Sequence, residues 1–192
     1  IYGPPHPCAC YPEAKLTGFN ALSGTRPSSD AENLRPVQRL SKGPAYEKLR
    51  IQNSKLRTND DWPTFRSDPA RSGATDTAVP TDLNTKWEAA VGGRLTQPVA
   101  AAGMVFVASV DDRTLYAIDR RSGTVQWKYI TGGRIDSPPT IHNGMAIFGS
   151  ADGYVYCLRA SDGALAWRFL AAPHDRRLMA WEQLESVWPV HG

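Results

Sequence analysis

Short apolar runs, each bounded by turn residues, organise the second half of the chain. Met104-Val105-Phe106-Val107-Ala108 and Met145-Ala146-Ile147-Phe148-Gly149 are two of them. A continuous apolar run of this length suits a strand buried on both faces. Leu115-Tyr116-Ala117-Ile118 and Tyr154-Val155-Tyr156-Cys157-Leu158 follow, rich in the aromatic and β-branched residues that strands favour. Asp152-Gly153 between two such runs is a hairpin signal. Arg121-Ser122-Gly123 and Ser161-Asp162-Gly163 mark the next turn, and a last strand in each copy ends on a tryptophan. Pro98, Pro138 and Pro139 stand at strand starts, where a missing N–H does least harm.

These elements recur. Trp87, Trp127 and Trp167 are spaced 40 residues apart, and Gly92-Gly93-Arg94 returns as Gly132-Gly133-Arg134. Pro98 returns as Pro138, Tyr116 as Tyr156, and Ser122-Gly123 as Asp162-Gly163. Gly103-Met104 and Ser109 match Gly144-Met145 and Ser150 at an offset of 41. The second copy therefore gains one residue, expected around His142-Asn143. The first gains one in the turn Asp111-Asp112-Arg113-Thr114, against Asp152-Gly153-Tyr154. Loops tolerate such changes, whereas a one-residue slip inside a strand turns every side chain to the other face. A period near 40 holding four short strands predicts one propeller blade per repeat. The expected fold class is all-β: a partial β-propeller of four-stranded antiparallel blades, with the periodic tryptophans packed between sheets as large apolar residues.

The segment from Ala117 to Trp127 resembles the tryptophan-docking motif of the pyrroloquinoline-quinone (PQQ) repeat of quinoprotein propellers. Ala117, Asp119, Ser122, Gly123 and Trp127 match it one by one. The second copy keeps Gly163 and Trp167 but reads as degenerate, with Leu158 and Ala160 where Ala and Asp are expected. Asp61-Trp62-Pro63-Thr64-Phe65-Arg66, with Asp68, Arg71 and Gly73 behind it, resembles the entry segment of such propellers. That likeness implies an outer, ring-closing strand, with Leu83 to Trp87 ending its blade.

The family includes a periplasmic outer-membrane assembly lipoprotein as well as true alcohol dehydrogenases. The resemblance therefore implies location in the periplasm or at the cell surface. It leaves two function classes. One is a non-catalytic scaffold binding a protein partner or a ligand. The other is part of a quinoprotein dehydrogenase that uses PQQ held by calcium, an Asp base and adjacent cysteines. A repeat names a fold more firmly than a chemistry.

The N-terminal third differs. Leu16 to Gly24 aligns with Leu115 to Gly123 at an offset of 99, so residues 1–25 read as the tail of an upstream blade. Residues 26–60 lack strand periodicity and read as a linker, with a short helix conceivable over 44–56. Residues 26–59 hold eight Lys/Arg against three Asp/Glu, a balance of +5 in a chain of +3. Aromatics for base stacking are nearly absent there, so no nucleic-acid partner is expected. The third copy begins at Trp167 and does not complete a blade, so 61–192 reads as the start of a propeller in a longer protein, whose remaining blades would be its partners. No apolar stretch reaches the ~20 residues of a membrane helix.

Candidate chemistry is sparse. From Trp127 to Pro138 is 11 residues and from Trp167 to Pro189 is 22, so 11 are inserted around Ala172 to Glu182. Such connections line one rim of a propeller near its channel. Arg176, Arg177 and Trp181 in the insert, with Arg134 and Asp136 in the preceding connection, form the expected interaction rim. His6-Pro7-Cys8-Ala9-Cys10 falls short of a four-ligand metal set and lacks haem-attachment spacing, so disulfide or free thiols are the plainer reading. Cys157 lies in a strand and reads as a small buried residue. Asp111, Asp112, Asp152 and Asp162 fall in turns, where Asp has a local structural reason. No adjacent Cys-Cys pair, phosphate loop, zinc signature or nucleophile elbow occurs, so no catalytic residue and no resident metal is assigned.

Overall fold

The computed structural model describes residues 2–3, 20–21, 38–47, 61–180 and 182–191. The chain divides into two compact units, Ile1–Val37 and Gln38–Gly192. In the first, β1 (Tyr2–Gly3) pairs antiparallel with β2 (Asn20–Ala21). Most of the stretch aligned to an upstream blade, and both Cys8 and Cys10, lie outside the described residues.

The second unit holds two blades. β4 (Val99–Ala101), β5 (Met104–Ser109), β6 (Thr114–Asp119) and β7 (Val125–Ile130) form an antiparallel meander in that order. β8 (Thr140–His142), β9 (Met145–Gly149), β10 (Tyr154–Arg159) and β11 (Leu165–Leu170) repeat it. The central strands are the buried ones, as their continuous apolar sequence requires: Phe106, Ala108, Leu115 and Leu158 are fully enclosed. The all-β, four-strand repeat read from the sequence is the observed architecture.

The core lies between the two sheets. Val99, Phe106, Leu115 and Ala117 of the first blade meet Ile135, Ile141, Phe148, Tyr156 and Leu158 of the second. Phe148 stacks on Tyr156 at 5.6 Å, and Phe106 meets the Trp127 ring at 5.8 Å. A smaller cluster, Val91, Val107 and Ile118, joins Trp87 on the other face of the first blade.

Four details differ from the sequence reading. The extra residue of the second copy is Pro139, not a residue near His142. Ala102-Gly103 and Asn143-Gly144 are both two-residue turns with positive φ, and this hairpin type has a fixed length. Pro139 is fully buried just before β8, where the lost N–H is harmless.

Second, pairing across the strands puts Cys157 opposite Trp167 as Ala117 stands opposite Trp127. The counterparts of Ala117 and Asp119 are thus Cys157 and Arg159, not Leu158 and Ala160.

Third, the entry segment pairs with the first strand of each blade, β4 and β8, not with an outer, last strand. Trp62 bridges Ala100 of β4, and Ile141 of β8 donates to the Pro63 carbonyl. Residues 83–87 form no strand.

Fourth, part of the expected linker is structured. β3 (Leu40–Lys42) pairs with β11 as a fifth strand, and Ala45 is buried against Cys157 and Ala166. Pro44-Ala45 is a turn, and most of the stretch conceived as a helix lies outside the described residues.

Candidate functional site

The inserted residues fold into a hairpin. β12 (Arg177–Ala180) pairs with β13 (Gln183–Ser186) in the register Arg177 to Ser186 and Met179 to Leu184. Cross-strand partners share a face. One face, with Glu185 and Gln183, turns to the blades. Glu185 is buried, and the Gln183 amide donates to the Asp111 carbonyl at 2.7 Å. The other face presents Met179 and Leu184, which are 70% and 51% exposed. The Ser186 amide donates to the Ala151 carbonyl, which seats the base of the hairpin on the turn between β9 and β10.

Beneath the hairpin runs the connection Gly132-Gly133-Arg134. A Cβ on Gly133 would stand 2.4 Å from the Asp152 nitrogen, so only glycine lets the connection lie flat on that turn. Asp152 is buried. It accepts from the Gly132 amide at 3.0 Å, the Tyr154 amide at 3.0 Å and the Tyr156 hydroxyl at 2.6 Å. Burial, then the nearby Asp152 carboxylate, pushes the Tyr156 hydroxyl far above the usual phenol range. This aspartate does more than cap its own turn, which the sequence did not reveal.

Arg134 is the centre of the site. Its guanidinium donates in a fork to both oxygens of Glu185, and through Nη1 to Asp136 at 3.1 Å. His191 Nδ1 lies 3.3 Å from the other Asp136 oxygen. The side chains of Arg134 and Glu185 are only 9% and 4% exposed. The Glu185 hydrogen bond raises the Arg134 pKa, so the cation is locked on. Fork-on-carboxylate geometry is the strong, directional form of ion pair.

Glu185 and His191 were not singled out from the sequence. A signal existed: Arg94, Arg134 and Glu185 each precede a periodic proline, Pro98, Pro138 and Pro189, by four residues. The repeat position reverses its charge in the third copy and meets its predecessor.

The remaining rim residues scatter. Arg176 is exposed, Arg177 is held by Asp175 at 3.0 Å, and Trp181 lies outside the described residues. The docking-motif residues gather at blade junctions. Trp87 donates from Nε1 to the Arg120 carbonyl, and Trp127 does the same to Ala160, its counterpart. Gly123 and Gly163 lie under the two rings; a Cβ on either would meet ring carbon at 2.7 Å. Asp119 holds the first turn by accepting from the Arg121 and Ser122 amides and the Ser122 hydroxyl, which lower its pKa. In the second copy Asp162 takes over, accepting from the Ala164 amide and the Arg159 guanidinium. Trp167 packs beside Ala45.

A cleft of about 720 Å³ opens beside the starts of β4 and β8, lined among others by Phe65, Arg71, Leu95, Gln97, Asp136 and Phe148. The loop over it turns through left-handed residues at Arg66, Ser67 and Arg71, conformations that side chains other than glycine rarely adopt. Among the described residues no three His, Cys, Asp or Glu side chains gather as a metal site. None of their helices is long and apolar enough to cross a membrane.

Two meandering blades with tryptophans docked on the next blade's turn define a β-propeller repeat protein. Residues 69–180 match the profile of the family described as outer membrane protein assembly factor BamB, and the chain belongs to that family. No curated protein sequence matches it significantly. Among solved structures it is similar to the quinohemoprotein alcohol dehydrogenase from Comamonas testosteroni, at 22% identity over 66% of this chain and 21% of that one, with a TM-score of 0.50. A europium-containing methanol dehydrogenase gives 16% identity, 60% and 24% coverage, and a TM-score of 0.50. BamB from Moraxella catarrhalis gives 27% identity, with 34% and 20% coverage and a TM-score of 0.31. The likeness to the dehydrogenases shows the fold alone. The chain spans about a fifth to a quarter of the length of these three proteins.

Proposed function

We propose that the chain is part of a non-catalytic propeller scaffold in the periplasm or at the cell surface, and that its inserted hairpin is where a partner protein docks. The observation that carries this reading is the hairpin itself. It is anchored through a buried Arg134–Glu185 fork and turns Met179 and Leu184 outward. An apolar pair held rigidly above a polar surface is the usual form of a docking hot spot. The carboxylates nearest to it support the same reading, because they are engaged in structure: Asp136 by Arg134 and His191, Asp152 by Tyr156 and backbone amides.

The test is a photo-crosslinking amino acid at position 179 in the full-length protein, in its native envelope. A discrete adduct that disappears with Leu184→Asp supports the proposal; crosslinking to nothing, or unchanged by Leu184→Asp, overturns it.

Family membership and fold also accommodate the second class, a PQQ- and calcium-dependent dehydrogenase, since two fold neighbours are dehydrogenases. Reconstitution of the full-length protein with quinone and calcium decides that. Dye reduction with alcohols would replace the scaffold reading.

A further inference from the structure

We propose that residues 85–90 are the fourth strand of a further blade, and that the first three strands of that blade, a copy of the repeat carried elsewhere in the same polypeptide, dock on the open face of the first blade. The strand is already in place. An offset of 40 sets residues 85–90 on Val125–Ile130 of β7. The two segments are buried alike: Trp87 and Ala89 are half-buried, as Trp127 and Tyr129 are, and the other four positions of each are exposed. Trp87 donates from Nε1 to the Arg120 carbonyl at 3.0 Å, as Trp127 does to the Ala160 carbonyl at 2.9 Å. Ala89 and Val91 pack with Trp87 on Val107 and Ile118. Yet β7 is paired with β6 along its length, whereas residues 83–91 make no backbone hydrogen bond to any described residue. A row of strand amides and carbonyls without partners is an edge that accepts another strand.

The sheet face beside this strand is open where its counterpart is closed. The second blade buries Ile135, Ala146, Phe148, Tyr156 and Leu158 against the first. The same repeat positions on the first blade are Leu95, Val105, Val107, Tyr116 and Ile118. Leu95 is 47% exposed, against 0% for Ile135, and Val105 and Tyr116 are only half-buried. Val107 and Ile118 are closed off, by the side chains of residues 87–91. What closes the second blade is Val99, Phe106, Leu115 and Ala117, all from the first three strands of its neighbour. The interface between the two blades thus selects the occupant of the open face: a three-stranded meander with apolar residues at those four positions and a third strand still unpaired. A second copy of the two blades does not fit, because each blade already holds its fourth strand, β7 or β11. A source within the same polypeptide is consistent with length, since this chain covers only 21% and 24% of the two dehydrogenases whose fold it shares.

The test is amide hydrogen exchange of the purified full-length protein, read residue by residue. Just past β7 the Thr131 amide donates to the Arg113 carbonyl. Alternation along the strand turns the Trp127 and Tyr129 amides the same way, toward β6. Their counterparts Val91, Ala89 and Trp87 are expected to exchange within about tenfold of them, while Lys86, Glu88 and Ala90 exchange at least about a hundredfold faster. Exchange of all six amides at the rate of the exposed residues 74–84 would overturn the proposal. So would equal protection at every position, which means burial without pairing. Protection that appears only on adding an envelope extract, or that rises with protein concentration, would place the three strands in a partner protein or a second copy and overturn their assignment to the same polypeptide.

Discussion

The connections Gly92-Gly93-Arg94 and Gly132-Gly133-Arg134 have the same sequence and the same place in the repeat, yet they do different physical work. Arg94 pairs with Asp111 in water, with side chains 60% and 52% exposed. Arg134 holds Glu185 in the interior. The aspartates beneath differ in parallel. Asp112 is exposed and accepts from the Ser109 hydroxyl, whereas Asp152 is buried and accepts from Tyr156 and Gly132. The hairpin makes the difference, because it covers the second connection and leaves the first open. A repeat motif fixes geometry, and its neighbours decide how much each interaction is worth.

The largest expected effect comes from removing Arg134. Arg134→Ala strands the Glu185 carboxylate in the interior, which costs about 3–5 kcal/mol of stability. Urea unfolding measures it. Replacing both partners by apolar residues, Arg134→Met with Glu185→Leu, should recover most of that loss, because a buried ion pair is worth little more than good apolar packing. A double variant as unstable as the single one would mean that Arg134 matters for its hydrogen bonds to the connection rather than for the pair.

Next is the phenol above Asp152. Tyr156→Phe leaves a buried carboxylate oxygen one donor short, for a loss of about 1–3 kcal/mol. Tyr116→Phe, at the same position of the first blade, should stay within about 0.5 kcal/mol, since Tyr116 makes no such bond to exposed Asp112. Equal losses at the two positions would remove the distinction between the connections.

These contrasts bear on what the sequence could reveal. The blades were legible because strand patterning, turn residues and the tryptophan period all report local geometry, and every copy repeats them. The Arg134–Glu185 pair spans 51 residues and joins a repeat to an insertion. Only counting back from Pro189 hints at it. The fifth strand at Leu40–Lys42 was hidden for another reason: it has three residues and binds β11 through backbone groups, which any sequence supplies. The position of the entry segment was likewise set by backbone hydrogen bonds to Ala100 and Ile141, not by side-chain pattern.

A smaller effect separates the blades by pH. Cys157 stands where the first blade has Ala117, and burial raises its thiol from an ordinary value near 9 to about 11. Its contribution to stability is complete below pH 9, where folded and unfolded thiols are both protonated. It is lost as pH rises toward 11, because the unfolded chain then ionises first. Cys157→Ala should therefore flatten the stability curve by about 1–2 kcal/mol across that window, a difference read from urea midpoints at pH 8.5 and 11. An unchanged slope would mean that the thiol is open to water in the folded state.

The smallest effect anchors the comparison. Arg94→Ala removes an exposed pair, and should change stability by no more than about 0–1 kcal/mol, less in high salt. That near-silence is informative only beside Arg134→Ala. If burial by the hairpin is the cause of the difference, then shortening the hairpin between Arg177 and Ser186 to a tight turn should bring Arg134→Ala down toward the Arg94 value. Loss of the hairpin also loses Glu185, so the shortened protein should itself tolerate the substitution without a stranded charge. A persisting loss of several kcal/mol in the shortened background would place the origin of the difference in the blades, and would separate the Arg134 connection from the insertion that covers it.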